Sequence, residues 1–576
     1  MFKENNKHHQ RSIFGIENTL PTKLMKKLLE SEEYCFYKII FCNIKEELFS
    51  DLYSDKMSRP NAPINCLVSA LILKEKYNWS YEQLFKQLNF NILTKTALGL
   101  DTFDDIPFDD ATIFNFQKRI SMYEKLTGKN IFEQVFDSLT KDQLKKLKIK
   151  TNIQRSDSLQ AGSNIRSYSR LQLLIEILLR LWRVMDESDK TMFGTKFSNY
   201  TNKSSSQYIY KLETRDLPRE LDQLAEIYHF CKVNILPKYQ DLEFFQIFDR
   251  VYTEHFTEVD SKIEVRPSAE LTSSCLQSPD EWDGTYREKH GESFQGQMIN
   301  VTETASQENP INLIDDVAVF PNNVDDGLAL HERIDIIIEK TPDLDEFHTD
   351  GAYGNPQNDL KFEELGITHV QTAVRGRQCK VTIEIEQNSS GSYHVKCPLQ
   401  SADSEPSGTN GKRYRCVFDK TICQSCQFID KCPALDRRTG RIYFFIHEDY
   451  LRNKRIRNLS NIPPERRQLR SNVEATVHEF TCRMKNHKLK VRTAFKAKTF
   501  AYLTAIAINF GRIFRYLSSN PAFQAFYFLC FVQIFKEHSK FLIKSKFDDL
   551  LKNIFTIFGL KINLTRFFAP AENSCF

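Results

Sequence analysis

The octapeptide His348-Thr349-Asp350-Gly351-Ala352-Tyr353-Gly354-Asn355 decides how the chain is read. It follows an extended run, Leu344 to Phe347, and precedes a segment with helical spacing, Asn358 to Leu365. That order puts Asp350 at the carboxyl end of a strand, where an open α/β sheet presents its chemistry. Gly351 and Gly354 allow a sharp turn, and Tyr353 supplies a wall for a pocket. Asp-Gly is equally ordinary turn chemistry, so the flanking segments have to arbitrate.

They extend the same pattern. Thr368 to Val374 reads as the next strand, and Gly327 to Lys340 as the helix before the motif. Upstream the period becomes two: Phe294, Gly296, Met298, Asn300 and Thr302 suit one face of a strand. Asn312 to Phe320 forms the next strand, across a polar turn at Gln307 to Pro310. Further back, Leu147, Ile149, Asn152 and Ile153 suggest a strand running into Ser156-Asp157-Ser158, although an Asp there can also cap a following helix. Tyr168 to Val184 opens a helical stretch that continues to about Thr257, with Thr201 to Gln207 as a loop. The order is strand, helical insertion, two antiparallel strands, helix, strand, helix, strand. It matches an α/β, ribonuclease-H-like mixed sheet with helices on both faces, carrying Asp157 and Asp350 on its first and fourth strands.

Residues 1–145 read as an all-helical N-terminal domain. Ile64 to Lys76 carries Leu67, Ala70 and Leu71 on one helical face, Ser80 and Gln83 form a capping box, and a helix from Asp110 carries Ile113, Phe116 and Ile120. Short helices with tight turns suggest a helix-turn-helix-like DNA-binding unit; a bundle that only packs or dimerises is the other reading. With 576 residues, 41% hydrophobic and 27% charged, the composition is that of a globular chain with several domains. No apolar signal region opens the chain, and the most apolar stretch, Phe523 to Phe535, is too short to span a bilayer. Fourteen cysteines without an export signal point to thiols or metal ligands before disulfides.

Two segments after residue 375 carry chemistry. Cys416, Cys423, Cys426 and Cys432 fall in a Cys-rich insertion, 391–440, where the Cys423-x-x-Cys426 spacing suits structural zinc and an irregular Cys-bearing loop is the alternative. Residues 452–498 then concentrate fourteen Lys and Arg against Glu465, Glu474 and Glu479, although the net charge of the whole chain is only +4. A solvated face is the ordinary meaning of such a block; beside strand-end carboxylates it suits a polyanion. Arg470, Glu474 and His478 share one helical face there, next to an apolar stripe of Val473, Val477 and Phe480. A long apolar helix, Ala494 to Tyr516, closes the core.

In this order and spacing the chain, from about Pro60 to Arg515, resembles the DDE-type transposases of bacterial insertion sequences. RPNAPINCLVSALILKEKYNWSYEQL (59–84) is similar to their helical N-terminal domain, and SDSLQAGSNIRSYSRLQLL (156–174) to the segment bearing the first catalytic Asp. SCLQSPDEWDGTYREKHGESFQGQMINVTET (274–304) resembles the stretch leading into the second and third strands, and HTDGAYGN the second-Asp motif. The family's third carboxylate is a Glu with Arg four residues before it, which Arg470 and Glu474 match; Arg467 stands where Tyr is expected and Thr481 where a basic residue is expected.

The resemblance implies a catalytic trio of Asp157, Asp350 and Glu474 holding two Mg²⁺, for which Mn²⁺ can substitute. It implies DNA contacts from Arg470, Arg483, Lys485, Lys488, Lys490 and Arg492 in a catalytic domain of residues 146–515 with a helical insertion at 165–270. Residues 516–576 are left as a Phe- and Lys-rich helical tail. The expected substrates are double-stranded element ends and target DNA, the expected assembly a homodimer in a synaptic complex, and the expected place the cytoplasm, at the nucleoid and not a membrane. A transposase-derived DNA-binding protein without activity and a ribonuclease-H-like nuclease that does not join strands are the competing functions.

Overall fold

The computed structural model describes residues 1–9, 15–54, 56–259, 262–289, 291–374, 381–388, 391–408 and 412–519. The tail beyond Ser519 lies outside the described residues.

The N-terminal region is helical, as its periodicity predicts. Helix α1 (Ile64–Lys76) is buried along its whole length from Ile64 to Lys74, not on one face only. Such all-round apolarity marks a helix at the centre of a core. Ser80 and Gln83 form the expected capping box, and Ile113, Phe116 and Ile120 are buried in the helix that starts at Asp110. Helix α2 (Ile131–Leu147) runs into the segment where alternation had suggested a strand.

The central sheet is mixed. Strand β1 (Ile153–Gly162) begins later and runs further than its alternation implies, so Asp157 stands mid-strand and caps nothing. Ser169 is the residue that caps the following helix. Strands β2 (Glu292–Thr304) and β3 (Ile314–Pro321) are antiparallel neighbours, with β2 also antiparallel to β1. Helix α3 (Asp326–Lys340) leads to β4 (Glu346–Thr349), helix α4 (Pro356–Leu365) to β5 (Thr368–Gln371), and β1, β4 and β5 are mutually parallel. Across the sheet the order is β3-β2-β1-β4-β5, and a short edge strand, Thr285–Lys289, extends the β2 hairpin.

Alternation along these strands sorts the two faces. Leu159, Ala161, Ile299, Val301 and Val317 pack into one cluster with α1, α2 and the last described helix, so the N-terminal helices and the sheet share a core. On the other face Phe347 packs with Leu330, Ile334 and Ile337 of α3 and Phe362 of α4. Between β1 and β2, the helices from Arg170 to His255 have a core of their own, centred on Leu174, Leu178, Tyr228 and Phe248, and are followed by a hairpin of Phe256–Val259 and Lys262–Val265. Within the expected loop at Thr201 to Gln207, Ser204 caps a short helix, Ser205–Ile209.

Residues 384–446 hold a second, antiparallel sheet of six strands, which the sequence reading did not anticipate. Its Ser401–Ser407 strand, SADSEPS, is largely exposed and polar and contains Pro406, all signals that ordinarily argue for a loop. Pro406 is tolerated because this strand pairs with one neighbour over 401–403 and with the other only over 404–407.

Candidate active site

Two segments distant in sequence meet at the end of β4, and a third reaches them through Arg470. The parallel register pairs Arg155 with His348; carried two residues further, it sets Asp157 alongside Asp350. Asp350 leaves the strand and accepts a hydrogen bond from the Ala352 amide at 2.8 Å, which closes the turn. Gly351 is required there, because a Cβ would lie 2.7 Å from the Ala373 carbonyl oxygen. Tyr353 does not wall an open pocket; it is fully buried beneath the site, with its hydroxyl accepting from Asn300 Nδ2 at 2.7 Å.

Glu474 arrives on helix α5 (Ser471–Thr481), which packs against β1. Arg470 lies between two carboxylates: Nη2 is 2.9 Å from Asp157 Oδ2 and Nη1 is 2.9 Å from Glu474 Oε1. The two acids differ sharply in setting, the Asp157 side chain being 14% exposed and that of Glu474 62%. Asp326, at the first turn of α3, is a fourth acid here. It accepts from the Ser158 hydroxyl and lies 3.5 Å from Arg287 Nη2. Read as sequence, the Asp325-Asp326 pair is only helix-capping chemistry, and nothing local gave Asp326 away.

Burial pushes the Asp157 carboxyl up to about 6; Arg470 and the Ser158 amide pull it down, and Asp350 and Asp326 push it up again. Burial is the main cause, and the two neighbouring acids add to it. A carboxyl whose folded pKa exceeds its unfolded value binds its proton more tightly when folded. The metal-free protein should therefore lose stability as pH rises from about 4 to about 6, by an amount of the order of 3 kcal/mol for two units. Asp157→Asn should remove this slope, read as denaturation midpoints at several pH values; an unchanged slope would place the titration elsewhere.

Helix α5 is held from below by a buried network. Glu303, wholly inaccessible, accepts from Arg155 Nε at 2.7 Å, from Thr476 Oγ1 at 2.6 Å and from Arg512 Nη1 at 2.6 Å. Arg155 also donates to the Leu469 carbonyl at 2.7 Å, and Arg512 belongs to helix α6 (Ala494–Ser519). The network ties β1, β2, α5 and α6 together and sets where Glu474 can reach.

The basic block is partly consumed by the fold. Arg455 pairs with Asp359 in a buried site, Arg466 with Glu346, Arg457 with Glu386, Arg492 with Asp280 and Lys498 with Glu124. Arg483 donates to the Glu75 and Glu479 carbonyls, and burial lowers its pKa. Lys488 and Lys490 are exposed but reach the carbonyls of Ile165 and Asn78, while Lys485 is exposed. The segment itself is laid along the end of β1, where the Leu489 amide donates to the Gly162 carbonyl at 2.7 Å.

Among the described residues, no three His, Cys, Asp or Glu side chains are drawn together as a ligand set for a metal ion. The Arg470 guanidinium stands between Asp157 and Glu474. No helix among the described residues is long and apolar enough to cross a membrane.

Comparison with known proteins gives two matches, together under half of the chain. Residues 26–119 match the family described as Transposase domain (DUF772), and residues 396–514 match Transposase DDE domain. The first covers α1, and the second covers α5 with Glu474; Asp157 and Asp350 lie outside both. No curated protein and no solved structure matches the chain. The two matched domains support an insertion-sequence transposase of the DDE type.

Proposed function

We propose that the protein binds the ends of an insertion sequence, cleaves phosphodiester bonds there and joins the freed 3′-OH ends to target DNA, using a ribonuclease-H-like core. The observation that carries this reading is the parallel register that sets Asp157 alongside Asp350, with Arg470 bridging Asp157 to Glu474. The order β3-β2-β1-β4-β5, with β1, β4 and β5 parallel, supports the core assignment. Hard carboxylate oxygens suit Mg²⁺ or Mn²⁺, and a buried acid with two further acids beside it fits a site that gains from a divalent cation.

In this reading Asp157, Asp350 and Glu474 would hold the ions. When bound, two ions would stabilise the attacking and leaving oxygens of an in-line displacement. Arg470 would hand Asp157 and Glu474 over to the ions and turn its guanidinium to a DNA phosphate, a ligand its planar fork fits equally well. Glu303 and its partners keep α5 rigid while this happens. Lys485, Lys488 and Lys490 line the approach along β1 and offer charge to the DNA backbone.

The decisive experiment incubates the purified chain with duplex DNA carrying the element's flanking ends, with and without Mg²⁺. Metal-dependent nicking followed by joined product supports the proposal; nicking alone supports a nuclease. A second reading, DNA binding without cleavage, is favoured by the Arg470 bridge that fills the gap between two of the acids. End binding with no cleavage at any divalent metal would establish it.

Binding should also be strongly salt-dependent, each neutralised phosphate contributing a slope of about −0.9 in log K against log salt. Replacing Lys485, Lys488 and Lys490 together with Ala should lower that slope by about 2 to 3 and weaken binding to unrelated sequences equally. An unchanged slope would return these residues to a solvated face.

A further inference from the structure

The Cys-rich part of the chain contains a small cavity that the proposed DNA chemistry does not use. It holds about 20 Å³ and lies between a hairpin and a loop of the second sheet. Cys397 opens the hairpin turn after Tyr393–Lys396, and its amide donates to the Gln400 carbonyl at 2.9 Å. Cys423 ends a short helix, Lys420–Gln424, while Cys426 and Cys432 lie on the turns that follow. All four thiols line the cavity, with Phe418, Ile429 and Arg441 completing much of the wall.

Cys416, the fourth member suggested by spacing alone, is not on this cavity. It is a fully buried strand residue paired with Ser404 and Tyr443, and its thiol donates to the Ala402 carbonyl at 3.5 Å. Gln400 clamps the two cavity walls: its Nε2 donates to Cys423 Sγ and to the Asp419 carbonyl, both at 3.2 Å, while its Oε1 accepts from the Asp419 amide at 2.8 Å.

We propose that Cys397, Cys423, Cys426 and Cys432 form a structural Zn²⁺ site. The thiols do not form a closed ligand set as they stand; the site requires their side chains to rotate until each sulfur lies about 2.3 Å from a central ion. Binding converts four S–H groups to four Zn–S bonds and releases up to four protons, leaving a centre of net charge −2 that Arg441 faces directly. Four thiolates leave no open coordination position, so the site is structural and not catalytic. It would tie the hairpin to the 420–432 loop in a small sheet whose Ser401–Ser407 strand buries no residue.

The test uses the full chain, reconstituted with Zn²⁺ and freed of excess metal. One zinc per chain is expected, lost in Cys397→Ser and Cys423→Ser and retained in Cys416→Ser. Co²⁺ in its place should give sulfur-to-metal charge-transfer bands that disappear in Cys397→Ser. Should the variants fail to fold, the wild-type chain still decides: cysteines that alkylate only after a chelator is added should be these four, located by peptide mass spectrometry. A metal-free wild type after reconstitution, zinc kept by Cys397→Ser, or a chelator-dependent set lacking Cys397 would each overturn the assignment.

Discussion

Glu474→Gln should lower DNA cleavage and strand joining by about 10³-fold or more, equivalent to roughly 4 kcal/mol of barrier, while leaving the fold intact. The side chain is mostly exposed and its protein partner is Arg470 one turn earlier. An exposed pair of this kind contributes under about 1 kcal/mol, so the denaturation midpoint should hardly move. The shape is kept and only the charge that would hold a divalent ion is removed. Asp157→Asn and Asp350→Asn should fall as far, and double variants should be scarcely worse than singles, because groups acting as one unit lose their effect together. Binding to element ends, followed by gel shift without divalent metal, should survive in all of them. Full cleavage by Glu474→Gln would remove it from the site without touching the two aspartates, and Asp326 would become the acid to test.

Glu303→Gln should be among the most destabilising single changes in the chain. It leaves Arg155 as a buried cation facing an amide, while Arg512 keeps its second partner, Glu479. Breaking a buried pair by removing one partner costs about 3–5 kcal/mol, and here one carboxylate serves two cations and the Thr476 hydroxyl. Urea denaturation should show the loss as a lower midpoint with an unchanged slope. Cleavage should fall as well at temperatures where the variant is still folded, since α5 loses the contacts that seat Glu474. A cost below 1 kcal/mol would mean that water or a shifted side chain reaches Arg155 and Arg512, and that α5 is seated by apolar contacts at Val473 and Phe480 instead.

Periodicity carried much of the fold because it reports which residues of one segment share a face. The α1 bounds, the Ser80–Gln83 capping box, the helix from Asp110 and the alternation from Ser293 to Phe320 all appear as the pattern implies. It failed where face and burial part company. The Leu147 to Ile153 alternation is a helix end, a short linker and a strand start, and Ser401–Ser407 is a strand with no buried face to announce it.

By itself, then, the sequence determined the order of elements around β1 to β5 and the placing of Asp350 at the end of a strand. Local propensity and turn chemistry act within a few residues and need no partner. Only the tertiary structure decided what those residues meet. Sheet register set Asp157 beside Asp350, helix docking put Arg470 between Asp157 and Glu474, and the helix after β3 delivered Asp326. Chain folding likewise exchanged Cys416 for Cys397 around the thiol cavity and paired part of the basic block with Asp359, Glu346 and Glu124. These are contacts between segments tens to hundreds of residues apart. Their partners are chosen by packing and by the electrostatic cost of leaving a buried charge alone, neither of which a local pattern records.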